Sequence, residues 1–381
     1  MFSFSRENTG LVAKWWRNVD KQILFLFIFL LLLGLFFSFS STTSIMSEKL
    51  NKQTYFFFIK HLIFVFFSLV LIFLISIQEK NKLIKLLFFL FFISIFILAL
   101  VPIFGFEIKG SKRFLDLYVF PSFQPVELVK PLFIVFVAKI IVLNEEINIY
   151  KRYLYSFLVL FVIVIFLVNQ PDLGQTLLIT STWITMIFVS GFNMIVLSIL
   201  CLGILSTVIF LIFLFPEKFG YIFFRIQTFL NPKTGDNFQS QKALEAIKQG
   251  GLTGQGMGEG ILKDKVPEAH TDYVIAVISE EFGAIFVLFI VIIFLFIGYK
   301  VLNKVLLGGD EFLKLALVGL VSLLIIQTFI HIGVNTRLLP TTGMTLPFLS
   351  YGGSSLIGSS IIAGIILNFT RKDSGRYFKN D

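Results

Sequence analysis

The chain has 381 residues, of which 56% are hydrophobic and only 14% are charged, and its mean hydropathy is +0.90. Soluble domains carry about a quarter of charged residues, so this composition excludes soluble globular domains and indicates a lipid environment. The net charge of +9 comes from lysines and arginines that lie mainly between apolar runs, which favours a role in membrane orientation over nucleic-acid binding.

Ten apolar runs predict an all-α polytopic membrane protein with ten transmembrane helices. The runs lack the alternation of barrel strands, which excludes a transmembrane barrel. The long charged leader and the lack of a small-residue cleavage pattern favour an uncleaved first helix over a signal peptide. The predicted helices cover residues 22–41, 55–77, 83–104, 126–143, 153–169, 175–190, 193–215, 274–301, 313–333 and 352–369.

The distribution of positive charge predicts that both termini are cytoplasmic. With that orientation the inner segments hold sixteen lysines and arginines, and the short outer segments hold seven. We therefore expect one integral membrane domain over residues 1–381, with cytoplasmic segments at 1–21 and 370–381. A long extracytoplasmic loop, 216–273, joins the seventh and eighth helices, and its patterned pieces predict short helices at the membrane interface.

The first candidate site is the segment 266–273, which leads into the eighth helix and contains Asp272. Ionisable groups at membrane depth are costly and usually line a cavity or pair with one another. Helical spacing places Asp272 on one face with Ala276, Ser279 and Gly283, which predicts an acidic hollow. The alternative is that Asp272 only caps the helix N-terminus, where a carboxylate is stabilised by the helix dipole.

The second candidate site lies at the start of the fourth helix. Glu127 and Lys130 are spaced i, i+3 and can neutralise each other in the membrane. A purely structural ion pair is the alternative. The nearby Lys112 and Arg113 favour function, because with Lys130 they would offer converging cations for a phosphate or pyrophosphate.

The third candidate site is the ninth helix and the segment that follows it. Gln327, His331 and Asn335 recur every four residues, which predicts a polar stripe that bonds to other helices or faces a wet cavity. The prolines and glycines of 338–355 predict a broken segment held against protein. Small residues four apart in the last helix predict a close helix approach.

Other motifs predict less. The glycine-rich run 250–260 resembles a phosphate-cradling loop but lacks the Gly-Lys-Ser/Thr ending. Asp172 sits in a Pro-Asp-Leu-Gly turn, which favours turn chemistry over an ion site. The single cysteine, Cys201, excludes an internal disulfide. No spacing of His, Asp and Glu indicates a metal cage, so we predict no protein metal site.

Taken in order along the chain, these motifs resemble the SEDS family (shape, elongation, division and sporulation) of peptidoglycan glycosyltransferases. The resemblance rests on residues 124–131, the turn at Pro171, the run 267–272 with Glu280 to Gly283, and the run 339–355. Pro-Glu-Ala-His-Thr-Asp and Pro-Thr-Thr-Gly-Met-Thr-Leu-Pro are more similar to the division branch of the family than to its elongation branch.

The resemblance implies polymerisation of lipid II at the outer face of the bacterial cytoplasmic membrane, at the division site. It implies partnership with a class B penicillin-binding protein and other division-complex membrane proteins, and a divalent cation, Mg²⁺ or Mn²⁺, at the pyrophosphate is compatible with it. It makes Asp272 the catalytic carboxylate. We expect the substrate to be bound by Arg113, Glu127, Lys130, His270 and Ser350. The family usually has Trp where this chain has Phe114, which we therefore leave out of the predicted site.

Two other functions stay open at the level of sequence. Ten spans with charges at membrane depth also suit a transporter that flips a lipid-linked sugar, although no inverted repeat is detectable. A division scaffold without chemistry would leave the buried charges of Glu127, Lys130 and Asp272 unexplained. Within the family, the elongation branch is the alternative to the division branch.

Overall fold

A computed structural model describes residues 10–42, 55–108, 111–116, 122–142, 147–231, 238–262, 265–307 and 309–372. The helices are α1 (Leu11–Asn18), α2 (Lys21–Thr42), α3 (Phe56–Ile77), α4 (Lys80–Phe104), α5 (Val126–Ile141), α6 (Ile149–Asn169), α7 (Leu173–Val189), α8 (Met194–Leu214), α9 (Pro216–Leu230), α10 (Phe238–Gly250), α11 (Val274–Leu307), α12 (Glu311–Asn335) and α13 (Gly353–Phe369). A short hairpin is formed by β1 (Phe106–Ile108) and β2 (Ser111–Phe114).

The fold is that of an all-α polytopic membrane protein, as predicted. Each of the ten apolar runs coincides with a helix, and six of these helices, α2, α3, α4, α6, α11 and α12, are long and apolar enough to cross a membrane. Helices α7 and α13 are apolar but have only 17 residues each, and α5 has 16 and carries charge. A full crossing takes about 20 residues, so the count of ten crossings stays a prediction.

The centre of the bundle is formed by α5, α12 and α13, which bury most of their side chains. The outer helices α3, α4 and α6 instead expose many large apolar side chains, as lipid contact requires. The predicted close approach along α13 is confirmed. A Cβ added at Gly358 would lie 2.7 Å from the backbone oxygen of Glu127, and one at Gly364 would lie 2.7 Å from the Cβ of Ile75.

The long loop contains two helices, α9 and α10, where the sequence predicted short helices. Helix α10 packs on α11 and buries Ala243 and Ala246 against Ala269, Tyr273 and Ala276. The loop is therefore folded onto the bundle. The stretch before α5, predicted as a loop, contains the β1–β2 hairpin instead, and Leu115 pairs in an isolated bridge with Phe123.

Helix α11 is broken at Gly283, which has φ 80° and ψ 172°. The glycine-rich run wraps around this break. The backbone amides of Ala284 and Ile285 donate to the carbonyls of Gly251 and Leu252 at 3.0 and 3.3 Å. The sequence predicted an unbroken helix here, because a single glycine in a long apolar run gives little sign of a break. The freed backbone groups of a broken membrane helix need partners, and this run supplies them.

The glycine-rich run and the residues just after it supply amide partners for the two buried carboxylates Glu280 and Glu281. Glu280 accepts a hydrogen bond from the amide of Leu262 at 2.7 Å, and Glu281 accepts one from the amide of Gly258 at 3.3 Å and one from the hydroxyl of Ser40. The resemblance of the run to a phosphate loop is therefore superficial, because the amide of Gly258 binds a carboxylate of the protein itself and the amides of Gln255 and Gly256 donate to the backbone carbonyls of Glu280 and Glu281.

We expect Gly283→Ala to destabilise the protein strongly. The added Cβ would lie 2.2 Å from the carbonyl oxygen of Leu252, and the positive φ is unfavourable for alanine. The strain and the clash together should cost several kcal/mol. Gly258→Ala is the matched control, since Gly258 has φ 83° in the same run but nothing within 4 Å of its added Cβ. Thermal unfolding in detergent should show a large drop for Gly283→Ala and a loss of about 1 kcal/mol for the control. Equal losses would contradict the close approach.

Candidate active site

A cavity of about 500 Å³ opens where the β-hairpin, α9, the turn before α11 and the segment after α12 meet. Its wall carries three carboxylates, Glu127, Glu268 and Asp272, and two guanidinium groups, Arg113 and Arg225. The predicted acidic residue and one of the predicted cations therefore face the same space. The wall also includes Thr341, Thr342, Gly343 and Thr345 of the segment after α12, and residues 351–355.

Asp272 is held by a tight turn that precedes α11. The carbonyl of Glu268 accepts hydrogen bonds from the amides of Thr271, Asp272 and Tyr273 at 3.1, 3.1 and 3.2 Å. Glu268 itself has a positive φ of 56°. This turn ends at Tyr273, immediately before α11, so Asp272 does not share a helical face with Ser279 and Gly283. That expectation was wrong because the helix begins after Asp272 and breaks at Gly283.

Asn335 at the end of α12 fixes this turn from the other side. Its amide nitrogen donates to the backbone oxygen of Asp272 at 3.0 Å, and its side-chain oxygen accepts from the amide of Ala276 at 3.2 Å. An amide in the first turn of α11 is therefore satisfied by Asn335. A helix-capping role alone does not account for the position of the Asp272 carboxylate on the cavity wall.

Arg113 projects from β2 and is fixed by the turn between α6 and α7. Its Nε donates to the carbonyl of Gln170 at 3.2 Å, and its Nη2 donates to the carbonyl of Pro171. Its Nε also lies 3.8 Å from the Asp172 carboxylate. These contacts orient a mostly buried guanidinium, whose side chain is 13% exposed. Asp172 also caps α7 through the amide of Gln175 at 3.3 Å, so it combines a local capping role with an ionic contact to Arg113.

Gly343 lies close to two of the charged groups that line the cavity, Asp272 and Arg113. A Cβ added at Gly343 would lie 3.5 Å from Oδ2 of Asp272 and 4.0 Å from Nη1 of Arg113. Gly343 has φ +67°, which glycine adopts without strain. A carboxylate oxygen and a guanidinium nitrogen therefore both lie within about 4 Å of one point, and the absence of a side chain at Gly343 leaves that point open.

Glu127 and Lys130 form the predicted ion pair, with 2.8 Å between Nζ and Oε2, and both side chains are buried. Gln175 donates to the other oxygen of Glu127 at 3.0 Å, and Lys130 donates to Gln327 at 3.4 Å. Only Glu127 of the pair reaches the cavity wall. The expectation that Lys112, Arg113 and Lys130 converge at one mouth was wrong, because Lys130 lies behind Glu127 and Lys112 is exposed on the hairpin.

The polar stripe of α12 holds the broken segment in place, as predicted for bonds between helices. Gln327 donates to the carbonyl of Thr345 at 2.9 Å, and His331 Nδ1 lies 2.7 Å from the carbonyl of Met344. With Asn335 they tie the segment after α12 and the Asp272 turn to one helix. The stripe therefore positions the cavity wall from behind.

Two predicted substrate ligands, His270 and Ser350, do not lie on this wall. His270 stacks on Phe57 with ring centroids 5.8 Å apart and lines a separate small hollow, since the tight turn directs its side chain away from Asp272. Ser350 is buried, donates to the carbonyl of Thr271 at 2.7 Å and accepts from the amide of Leu346 at 2.8 Å. Both stabilise the turn and the segment that form the cavity.

Arg225 is a cavity residue that the sequence analysis missed. It projects from α9 and donates to the carbonyl of Thr341 at 3.1 Å. Burial, and then the positive charge of Arg113, lower the pKa of Arg225 from its ordinary value. Its only signal in the sequence is a single arginine in the apolar piece 221–230, which does not reveal that this helix reaches the cavity.

Known proteins are similar to this chain over most of its length. The family model FTSW_RODA_SPOVE, described as cell cycle protein, matches residues 21–375. "Probable peptidoglycan glycosyltransferase FtsW" of Caulobacter vibrioides is 32% identical over 378 residues, covering 98% of this chain and 95% of that protein. "Stage V sporulation protein E" of Bacillus subtilis is 35% identical over 281 residues, covering 72% of this chain and 75% of that protein.

Solved structures share the fold. Rod shape determining protein RodA of Thermus thermophilus aligns with a TM-score of 0.68 and 25% identity, covering 93% of this chain and 97% of that chain. A chain from a solved structure described as "Structural coordination of polymerization and crosslinking by a peptidoglycan synthase complex" aligns with a TM-score of 0.74 and 24% identity, covering 95% of this chain and 99% of that chain. By the extent of the family match and the identity to its relatives, this chain belongs to the FtsW, RodA and SpoVE family of membrane proteins.

Proposed function

We infer that this protein is a peptidoglycan glycosyltransferase that polymerises lipid II for the septal wall in cell division. Two relatives that match 98% and 91% of this chain are both named "Probable peptidoglycan glycosyltransferase FtsW". The observation that carries the inference in the structure is the cavity in which Asp272 and Arg113 approach one point beside Gly343. A base and a cation that face one reacting centre are what glycosyl transfer from a pyrophosphate requires.

The reaction follows from these two groups. Asp272 takes the proton from a sugar hydroxyl of the acceptor, and the oxygen attacks the anomeric carbon of the donor. The bond from that carbon to the pyrophosphate breaks, and the pyrophosphate leaves with the bonding electrons. Arg113 stabilises the charge that develops on it. The pyrophosphate leaves without protonation, so one carboxylate suffices where a glycosidase uses two.

The base and the cation are each held in place by hydrogen bonds with a different part of the protein. Asp272 is positioned through its backbone by Asn335, and Arg113 is positioned by the carbonyls of Gln170 and Pro171. Preorganised charges of this kind act without reorganisation during the reaction, which is the main source of electrostatic catalysis. Glu127 contributes to the wall, and Lys130 neutralises it from behind.

A divalent cation at the pyrophosphate remains a prediction. Among the residues that the structure describes, no group of three or more His, Cys, Asp and Glu side chains lies close enough to hold a metal ion. The described side chains alone therefore do not fit a resident metal.

The partner that this function implies is a class B penicillin-binding protein, which would crosslink the strands that this protein makes. The solved structure that aligns with a TM-score of 0.74 is described as coordinating polymerisation and crosslinking in one complex. The large apolar side chains exposed on α3, α4 and α6 suit contact with lipid or with membrane helices of such partners in the division complex.

The cytoplasmic membrane is the proposed location, with both termini inside and the cavity at the outer face. Polar contacts cluster at one end of the bundle. Lys304 and Asp20 form an ion pair of 2.6 Å there. Asn368 and Arg371 donate hydrogen bonds of 2.8 to 3.3 Å to the carbonyls of Ser76 and Gln78, where α3 ends. Asp272 and the cavity lie where α13 begins, and Arg371 lies just beyond its end. The charge asymmetry assigns the Arg371 end to the cytoplasm.

We expect thiol labelling to give this orientation. In a Cys201→Ser background, Glu259→Cys should react with a membrane-impermeant maleimide in intact spheroplasts, since Glu259 is exposed in the long loop. Lys82→Cys, at an exposed position in the α3–α4 region, should react only after lysis and serves as the control. Labelling of Lys82→Cys in intact spheroplasts, with labelling of Glu259→Cys only after lysis, would place the cavity at the cytoplasmic face. That result would overturn the proposed function.

Purified protein in detergent, given labelled lipid II and its penicillin-binding partner, should form polymer that a gel resolves. Detergent micelles have no two sides, so a transporter of lipid-linked sugar would bind the substrate and leave it unchanged. A scaffold would also leave it unchanged. Unaltered lipid II under conditions that keep the protein folded would contradict the proposed function.

A further inference from the structure

A second cavity of about 300 Å³ lies beside the central one, between α9, α10 and the residues that follow α12. The two cavities share Arg225 and Thr341 in their walls. The hydrogen bond from Arg225 to the carbonyl of Thr341 forms the partition between them. A ligand in the second cavity would therefore lie next to a ligand in the central one.

The described wall of the second cavity is cationic. It includes Arg225 and Arg337, together with the hydroxyl groups of Tyr221, Thr228 and Thr341. No aspartate or glutamate is among the described residues that line it. Guanidinium groups with hydroxyl donors bind phosphate oxygens well, because the planar fork of each arginine matches two oxygens.

Arg337 occupies a backbone position that favours glycine. It has φ 57°, and it follows the C-cap of α12. The amide of Leu338 donates to the carbonyl of Gly333 at 2.7 Å and the amide of Arg337 donates to Val334 at 3.1 Å, which is the bond pattern of a Schellman motif. A side chain at this position is strained relative to glycine. The position places a guanidinium at the cavity in spite of that strain.

The rim of the second cavity is apolar and exposed. Phe224 of α9 is 56% exposed and Leu339 is 39% exposed, and both contribute to the wall. Helix α9 also exposes Phe223 and Leu230, as a helix at a membrane interface does. A cationic hollow with an apolar rim suits an anion that carries a hydrocarbon chain.

We propose that the second cavity binds the pyrophosphate of the acceptor, a lipid-linked saccharide, while the central cavity holds the pyrophosphate that leaves the donor. This inference rests on the proposed function. Transfer between two lipid-linked saccharides brings two pyrophosphates to the protein, and the acceptor keeps its own throughout. Arg337 and Arg225 bind the acceptor pyrophosphate, and the acceptor sugar reaches Asp272 past the Arg225–Thr341 partition.

Arg337→Gly tests the assignment without harm to the backbone, since glycine relieves the positive φ. The lipid II concentration for half-maximal polymerisation should rise by at least about tenfold, because a charge-assisted contact to the acceptor is lost. The maximal rate should fall by a smaller factor. The thermal midpoint should not fall. Arg337→Lys should recover part of the affinity. Lys248→Ala, which removes an exposed cation from α10, is the control and should polymerise as the parent does. An unchanged concentration dependence in Arg337→Gly would overturn the proposal.

A binding measurement separates this proposal from the proposed function. Titration with farnesyl pyrophosphate in detergent should reveal two sites in the parent protein and one in Arg337→Gly, whether or not polymer forms. Phosphatidylglycerol added in mixed detergent micelles should not displace farnesyl pyrophosphate from the second site. If phosphatidylglycerol displaces farnesyl pyrophosphate equally well from the second cavity, that cavity is a general site for anionic lipids. A single farnesyl pyrophosphate site in the parent protein would refute the assignment. Two sites in a protein that makes no polymer would overturn the proposed function alone.

Discussion

Asp272→Asn should lower the rate of lipid II polymerisation by about a hundredfold or more, the usual contribution of a positioned general base. The amide keeps the size of the carboxylate and removes the proton acceptor. Asn335 still satisfies the amide of Ala276 in the variant, so α11 should begin as it does in the parent. Thermal unfolding and lipid II binding should therefore change little, and the initial rate of polymer formation should fall.

Glu268→Gln is the matched control for this substitution. Glu268 belongs to the same tight turn and also lines the cavity, so it tests whether any loss of negative charge there suffices. We expect a smaller effect from it than from Asp272→Asn. If Asp272→Asn polymerises close to the parent rate, the residue is no base, and a role in helix capping is then sufficient, since Asn caps nearly as well as Asp. Equal losses of polymerisation rate in both variants would mean that Asp272 contributes only negative charge to the cavity and does not act as a base.

Separating the buried pair of Glu127 and Lys130 should destabilise the protein by about 3–5 kcal/mol, because either single change leaves one uncompensated charge in a buried site. Glu127→Gln and Lys130→Met should each lower the midpoint of unfolding in detergent. The double variant should recover much of the loss, since no unpaired charge remains. It should still polymerise poorly, because Glu127 is part of the cavity wall.

Glu311 and Lys314 provide a matched control pair. They have the same i, i+3 order and a separation of 2.9 Å, but the Glu311 side chain is 69% exposed. Neutralising either residue should change stability by less than about 1 kcal/mol, as for exposed ion pairs in general. Additive losses at Glu127 and Lys130, without recovery in the double variant, would contradict the coupling. A double variant with full activity would reduce the pair to structure alone.

Features with a local cause were predictable from the sequence. Apolar runs of span length placed the helices, and the i, i+3 spacing placed Glu127 beside Lys130. The four-residue period of Gln327, His331 and Asn335 predicted bonds between helices, and each of the three binds a group outside α12. In these cases the regular spacing of residues along a single helix determines which side chains share a face.

Features that depend on convergence of distant segments were not predictable. Arg225 reaches the cavity only because α9 folds back over the bundle, which no local pattern records. The break at Gly283 depends on the carbonyls of Gly251 and Leu252, which lie far from it along the chain. His270 and Ser350 lie in motifs that supply the cavity, but the direction of each side chain is set by a turn whose geometry the sequence does not display.

The most direct test of the central claim is the structure of the Asp272→Asn protein with lipid II bound, since loss of the base should leave the substrate intact. A pyrophosphate should lie within hydrogen-bond distance of the Arg113 guanidinium, beside Gly343, and a sugar hydroxyl should contact residue 272. A substrate whose pyrophosphate lies away from Arg113, or whose sugars do not enter the cavity, would contradict the account.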